Sequence, residues 1–272
     1  MTARRAWWLV AGVLLALLLV GGLMAPEHLP SIDPSQANLG PAAYPPFGTG
    51  PRGRPLWDVA LQGAGIIVLP ALAAAVVVAC AGALAGLVRS AGLSRIDAVM
   101  GATGELVGAL PRWVVILVVA VLTPWDARSL WPIALTWALL AAPAAMDEAA
   151  ATAERMGGTR FVEALRAHGF GAWRIFGIHV LGYNLRPVLV RQGAEVLRHV
   201  AFLEIALSYL AVSQNDPALT HPDSSKSWAD ILYYGYTALL GEPQVHALVL
   251  GLALVGMMAL TSLALTRATA AR

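Results

Sequence analysis

Long apolar segments, separated by shorter polar connections, dominate the pattern of this chain. The apolar segments with few charged positions are residues 6–25, 66–88, 99–122, 130–145, 187–212 and 245–266. A helix needs about 20 mostly apolar residues to cross a hydrocarbon core of about 30 Å, because each residue adds about 1.5 Å. The pattern therefore predicts an all-α, polytopic membrane protein with about six transmembrane helices.

Composition and the placement of arginine add location and orientation. Hydrophobic residues make up 58% of the chain and charged residues 12%, which is not the balance of a soluble domain. With the N-terminus inside, most arginines lie in cytoplasmic segments, and the outer loops keep Arg52, Arg54, Arg128 and Lys226. We predict a multi-pass protein in contact with lipid, with both termini cytoplasmic. The net charge of +2 then reflects topology, and no nucleic-acid partner is expected.

The polar connection at about residues 147–187 contains a short amphipathic segment. Its apolar positions recur at i, i+3, i+4 and i+7, at Phe161, Ala164, Leu165 and His168. Glu163 lies largely off that face, and Gly169 is placed to end the helix. Such a helix suits a groove on a soluble partner, but its arginines would also suit the membrane surface.

Two further patterns lie near predicted helix ends. The Pro/Gly-rich arm before the second span reads FGTGPRGR, and its motif residues are Gly48, Thr49, Arg52, Gly53 and Arg54. Its glycines permit tight turns, and its arginines could anchor the arm on a partner. Near the other end, residues 203–210 read LEIALSYL and residues 227–232 read SWADIL.

In this order, these patterns resemble the C-type permease subunits of ABC importers for dipeptides, oligopeptides and nickel. Glu163, Ala164, Leu165 and Gly169 occupy the positions of the Glu-Ala-Ala-x3-Gly element in the family's coupling loop. The chain departs from the family at Leu165, where alanine is usual, and at Gly182, where proline is usual. In the arm, Gly50 and Pro55 stand where the family has aspartates.

The resemblance implies both an architecture and a set of partners. Residues 1–65 would form a first helix and an extracytoplasmic arm, and residues 66–272 a five-helix core with the type I importer permease fold. Implied partners are a second permease in a heterodimer, two cytoplasmic ABC ATPases and an extracytoplasmic substrate-binding protein, in a bacterial inner membrane. The implied function is the ATP-driven uptake of peptides or related solutes; uptake of nickel, a metallophore, an opine or a sugar is an alternative.

The sequence also bears on whether the chain carries chemistry of its own. Its only lysine, Lys226, is not in a phosphate-binding Gly-Lys-Ser/Thr loop, so we expect ATP and Mg²⁺ on the partner ATPases and no cofactor here. No His-Glu-x-x-His or Gly-x-Ser-x-Gly pattern supports the other alternative, a membrane-embedded enzyme. The histidines are scattered, so we predict neither catalytic residues nor a metal site. Cys80, inside a span, is predicted to be a small packing residue.

Charged residues inside predicted spans are candidates for the substrate path, because each is costly in lipid unless it is paired or faces a wet cavity. Glu105, Arg112 and Glu204 are the candidates for this path. Glu105 and Arg112 are seven residues apart, so a continuous helix would place them on one face. Pairing between helices, within or between subunits, is the alternative role for these charges.

Overall fold

The computed structural model describes residues 3–26, 29–123, 129–209, 227–238 and 245–270. Arg128, Lys226, Leu210 and the end of the predicted span at 210–212 lie outside the described residues. The helices are α1 (Ala3–Leu23), α2 (Leu56–Ala91), α3 (Ser94–Gly108), α4 (Arg112–Leu122), α5 (Leu130–Arg155), α6 (Gly158–Ala167), α7 (Arg186–Tyr209), α8 (Trp228–Ala238) and α9 (Val245–Ala270). A π-helix, Trp173–Leu185, leads into α7, and a single 3-10 turn, Pro34–Gln36, lies in the arm.

The all-α, polytopic fold is confirmed. Within the described residues, four helices (α1, α2, α5 and α9) are long and apolar enough to cross a membrane, and α3 with α4 would make a fifth span. The predicted sixth span is present as α7. Because of its arginines and glutamates, α7 is less apolar than the four helices named above. It nevertheless packs into the core through Leu197, Val200, Leu203 and Leu207.

Helix α2 is the central element of the core. Its 36 residues extend roughly 54 Å, longer than the hydrocarbon core, so it starts ten residues before the predicted span. It packs against α1, α5 and α7, and much of its buried face is alanine and glycine. Small side chains let helix backbones approach closely, which is how helices associate in lipid. Cys80, predicted to be a packing residue, is instead exposed on α2.

The predicted span at residues 99–122 is not one helix. It breaks between Gly108 and Arg112, and α3 and α4 meet at an angle of 74°. Pro111 explains the break, because proline lacks an N–H donor and disfavours helical geometry in the preceding residue. The expectation that Glu105 and Arg112 share a face of one helix is therefore wrong.

Candidate functional site: the coupling segment, the arm and the broken helix

The coupling segment begins at a turn between α5 and α6. Gly157 and Gly158 both have positive φ, 103° and 51°, a region that side chains other than glycine rarely adopt. Helix α6 ends at Ala167, and the predicted helix stop, Gly169, follows with a φ of 78°. The Gly169 N–H donates to the Arg166 carbonyl and the Phe170 N–H donates to the Leu165 carbonyl, which is the Schellman arrangement. Glycines thus set both ends of α6.

The apolar face of α6 packs on the protein itself. Val162 is buried, and Phe161 contacts a small core cluster formed by Ala149, Ala153, Val180 and Leu185. Phe161, predicted to lie on a stripe that faces a partner, is therefore partly buried against this cluster. The exposed residues of α6 include Arg160, Glu163, Ala164 and Ala167, which we call the outer face of α6.

The segment after α6 returns to the core through aromatic contacts. The Arg174 guanidinium carbon lies 4.4 Å from the centroid of the Phe170 ring, and the Phe170 and His179 rings are 5.5 Å apart. The π-helix then runs directly into α7 at Arg186. Because π-helical turns are rare and often occur at functional positions, this link between α6 and α7 stands out from an ordinary helix junction.

An ion-pair cluster connects the corner between α2 and α3 to the end of α5. The Arg89 guanidinium contacts both carboxylate oxygens of Asp97, with N···O distances of 3.1 and 2.9 Å. Its remaining terminal nitrogen is 3.3 Å from a carboxylate oxygen of Glu154. A cavity of about 520 Å³, lined also by residues 157–160, lies beside this cluster. Sequence reasoning missed the cluster, because its members are up to 65 residues apart.

The arm motif is folded against the start of α2. Thr49 is fully buried; its hydroxyl donates to the Gln36 carbonyl and accepts a hydrogen bond from the Leu39 N–H at 2.9 Å. Arg54 is also buried, and its Nε–H donates to the Pro30 carbonyl at 3.1 Å. The idea that Arg54 anchors the arm on a partner is therefore wrong for this structure, since its side chain holds the arm's own backbone.

Tight turns explain the arm's glycines. Gly48 and Gly53 have φ of 79° and 71°, and a Cβ on Gly53 would lie 1.9 Å from the Asp33 carbonyl oxygen. Asp33 in turn accepts hydrogen bonds from the hydroxyl and backbone N–H of Ser35, which lower the pKa of its carboxyl group. The motif is thus a compact loop stabilised by backbone hydrogen bonds.

The SWADIL segment, residues 227–232, packs beside the arm. Trp228 is fully buried, and its indole N–H donates to the Ala60 carbonyl of α2 at 2.9 Å. Next to it, the backbone N–H of Ser227 donates to the Asp230 carboxylate at 3.0 Å. Burial, reinforced by Asp230, raises the pKa of Tyr234 to about 12, although Arg52 and Arg54 oppose the shift. The two motifs, far apart in sequence, therefore form one packed unit around the start of α2.

Sequence similarity extends over most of the chain. A protein of Brucella suis is 28% identical over 238 residues, covering 85% of this chain and 76% of the relative. Relatives in Brucella abortus and Brucella melitensis are 28% identical over 245 residues, covering 86% of this chain and 78% of each relative. All three are named as permease proteins of a peptide transport system. The resemblance of the sequence motifs to peptide permeases is therefore confirmed. No protein-family model matches the chain.

The charged residues predicted to line the path of the permease do not share one environment. Arg112 is the first residue of α4 and is exposed, as is Glu105 in the last turns of α3. Glu204 is only 2% exposed, within α7. The helix break thus separates Glu105 from Arg112, and Glu204 is enclosed by the chain itself.

An aromatic cluster beside Arg112 was not predicted. The Trp113 and Trp137 rings are 6.0 Å apart, and the Trp137 and His199 rings are 5.3 Å apart. These residues come from α4, α5 and α7. Tryptophans near predicted helix ends are commonly read as membrane-interface anchors, and only the tertiary packing brings these three rings together.

Proposed function

We propose that this permease is one transmembrane subunit of an ATP-driven importer for peptides or related small solutes. The observation that carries the proposal is α6: one side of this helix packs on the protein's own core, while the outer face, with Glu163 and Ala164, is exposed and available to a partner. The names of the Brucella relatives support a peptide as the solute.

The partners follow from what this chain contains and lacks. The outer face of α6 binds a cytoplasmic ATPase, with Glu163 facing basic groups of that partner. ATP and Mg²⁺ bind to two such ATPases, since this sequence has no Gly-Lys-Ser/Thr loop. A second permease supplies the other half of the path, and an extracytoplasmic binding protein delivers the solute. The complex lies in the bacterial inner membrane, and both termini of this chain are cytoplasmic.

Movement of α6 would reach the membrane along two routes. Phe161 passes displacement to the cluster that contains Val180 and Leu185, and so to the π-helix and α7. The Arg89 cluster ties the end of α5 to the start of α3, which leads into the broken span. Closure of the ATPase pair would thereby tilt several helices together and alternate access to the path.

The broken span is the part of the chain best suited to line that path. Backbone that leaves helical geometry at membrane depth is tolerated where protein or a water-filled cavity satisfies it. Arg112 lies at this break, in the first turn of α4. Its guanidinium can bind a carboxylate through two parallel hydrogen bonds, so Arg112 would favour solutes with a free carboxylate, such as peptides.

The direct test is uptake by the complex reconstituted in vesicles with its ATPases and binding protein. ATP-dependent accumulation of a radiolabelled peptide is expected, and Glu163→Lys and Gly169→Val should each reduce both uptake and transport-linked ATP hydrolysis without preventing membrane insertion. Asp147→Lys makes the same charge change at an exposed position of α5 and should retain activity. Full coupling in both α6 variants would contradict the assigned role of α6, and ATP-independent uptake would contradict the importer.

A further inference from the structure

An apolar groove lies within the membrane-spanning part of the permease, away from the coupling segment and the broken helix. Its volume is about 230 Å³, and its walls come from α1, α2, α7 and α9. The lining residues include Leu15, Leu72, Ala79, Gly193, Leu197 and Leu265. Alanine and glycine at the α2 and α7 positions leave the space that larger side chains would fill.

A cation lies about one helical turn from the wall that α7 contributes to this groove. Arg186 comes three residues before Leu189, which also lines the groove, and its guanidinium carbon is 4.9 Å from the centroid of the Trp8 ring. Trp8 comes seven residues before Leu15, roughly 10 Å along α1. Arg267, two residues after Leu265, is exposed at the same end. The apolar groove thus leads toward positive charge.

We infer that this groove binds one acyl chain of an anionic phospholipid whose phosphate is held by Arg186. A guanidinium held over an indole ring by a cation–π contact keeps N–H donors available for phosphate oxygens. Tryptophan at the depth of the headgroups and arginine near an anionic leaflet are the arrangement expected for such a lipid.

The chemistry of the groove favours an acyl chain over a helix of a partner subunit as its occupant. The lining residues are apolar, and Arg186, close to the groove in sequence, would be matched by an anionic headgroup but not by an apolar membrane helix. A flexible alkyl chain fits the apolar walls and needs no hydrogen bonds from them.

The test measures the lipid retained by the full-length chain, which is purified together with any subunits that bind to it. The protein is first placed in nanodiscs of equal parts phosphatidylglycerol and phosphatidylcholine, then moved into detergent, and the retained lipids are counted by mass spectrometry. We expect an excess of phosphatidylglycerol. Arg186→Gln should lower the ratio of phosphatidylglycerol to phosphatidylcholine about fivefold, the effect of one arginine near an anionic surface.

Filling the groove provides a second variant with its own control. Ala79→Leu should reduce retention of both lipids, whereas Cys80→Leu adds similar bulk at the adjacent exposed position and should not. Arg95→Gln, at an exposed position on α3, is the control for charge. Equal retention in Ala79→Leu and the unaltered chain would overturn the inference. Neither readout requires transport, so failure of the uptake assay would leave this result intact.

Discussion

At the scale of single residues, glycines set the turns of the arm and of α6. In both places the chain needs positive φ, which sterically favours glycine. For Arg54, by contrast, the sequence does not predict where the side chain lies. An arginine in a polar loop is most often a surface residue, but here its side chain is 4% exposed and holds the Pro30 carbonyl.

Gly53→Ala should destabilise the permease, whereas Gly40→Ala should not. Alanine at φ 71° costs about 1–2 kcal/mol, and its Cβ would also meet the Asp33 carbonyl oxygen. A Cβ on Gly40 has no neighbouring atom within 4 Å. Thermal unfolding of the purified protein should show a lower midpoint for Gly53→Ala alone, and equal midpoints would refute a structural role for this turn.

At the scale of helices, the corners between them connect the coupling segment to the membrane. The Arg89 cluster joins α2, α3 and α5 in one place. The side chains of Arg89 and Asp97 are 38% and 25% exposed, so the pair contributes only about 1 kcal/mol or less to stability. Its importance would lie in keeping these corners together during movement.

Arg89→Glu should therefore uncouple the permease more than it destabilises it. The variant places like charges beside Asp97 and Glu154, and we expect less peptide transported per ATP hydrolysed. Combining Arg89→Glu with Asp97→Arg restores one ion pair and should recover part of the ratio. Arg155→Glu is the matched control, because Arg155 hydrogen-bonds within its own helix. No recovery in the double variant, or an equal loss in the control, would count against this role.

At the scale of the whole molecule, orientation decides which surfaces meet which partners. The proposed orientation puts the arm outside and α6 inside. Thr49 is a poor site for a label, because it is completely buried. Ala42 is exposed in the same arm and gives a direct test of the topology.

Ala42→Cys in a Cys80→Ala background should react with an impermeant thiol reagent added to intact cells. Thr49→Cys should react much more slowly, although it lies on the same side of the membrane. Ala167→Cys, on the outer face of α6, should react only after the cells are opened. The reverse pattern for Ala42 and Ala167 would overturn the orientation and the ATPase contact together.

Arg112 is expected to act on the solute rather than on assembly. Its exposure at the helix break agrees with a role in the path, so Arg112→Gln should leave the complex stable and reduce uptake of a peptide about tenfold to a hundredfold, the value of a hydrogen bond to a charged group. Loss of the assembled complex, rescued by neutralising Glu105 or Glu204, would instead show a structural ion pair.

Features that depend on residues close together in the chain could be predicted from the sequence. Apolar runs predicted most of the membrane helices, because crossing lipid demands a long apolar segment whatever surrounds it. The amphipathic period and Gly169 predicted a helix here and where it ends, because helix faces and helix ends are local properties. The three motifs, read in order, also indicated the family.

Which surfaces are buried and which charged side chains form ion pairs depends on how the helices pack. Phe161 packs against an apolar cluster formed by α5 and the π-helix. No local sequence pattern predicts that cluster. Pro111 is evident in the sequence, but the 74° angle between α3 and α4 is seen only in the structure. The Arg89 cluster, the buried Thr49 and the apolar groove likewise arise from segments distant along the chain, whose distances are fixed only when the helices pack together.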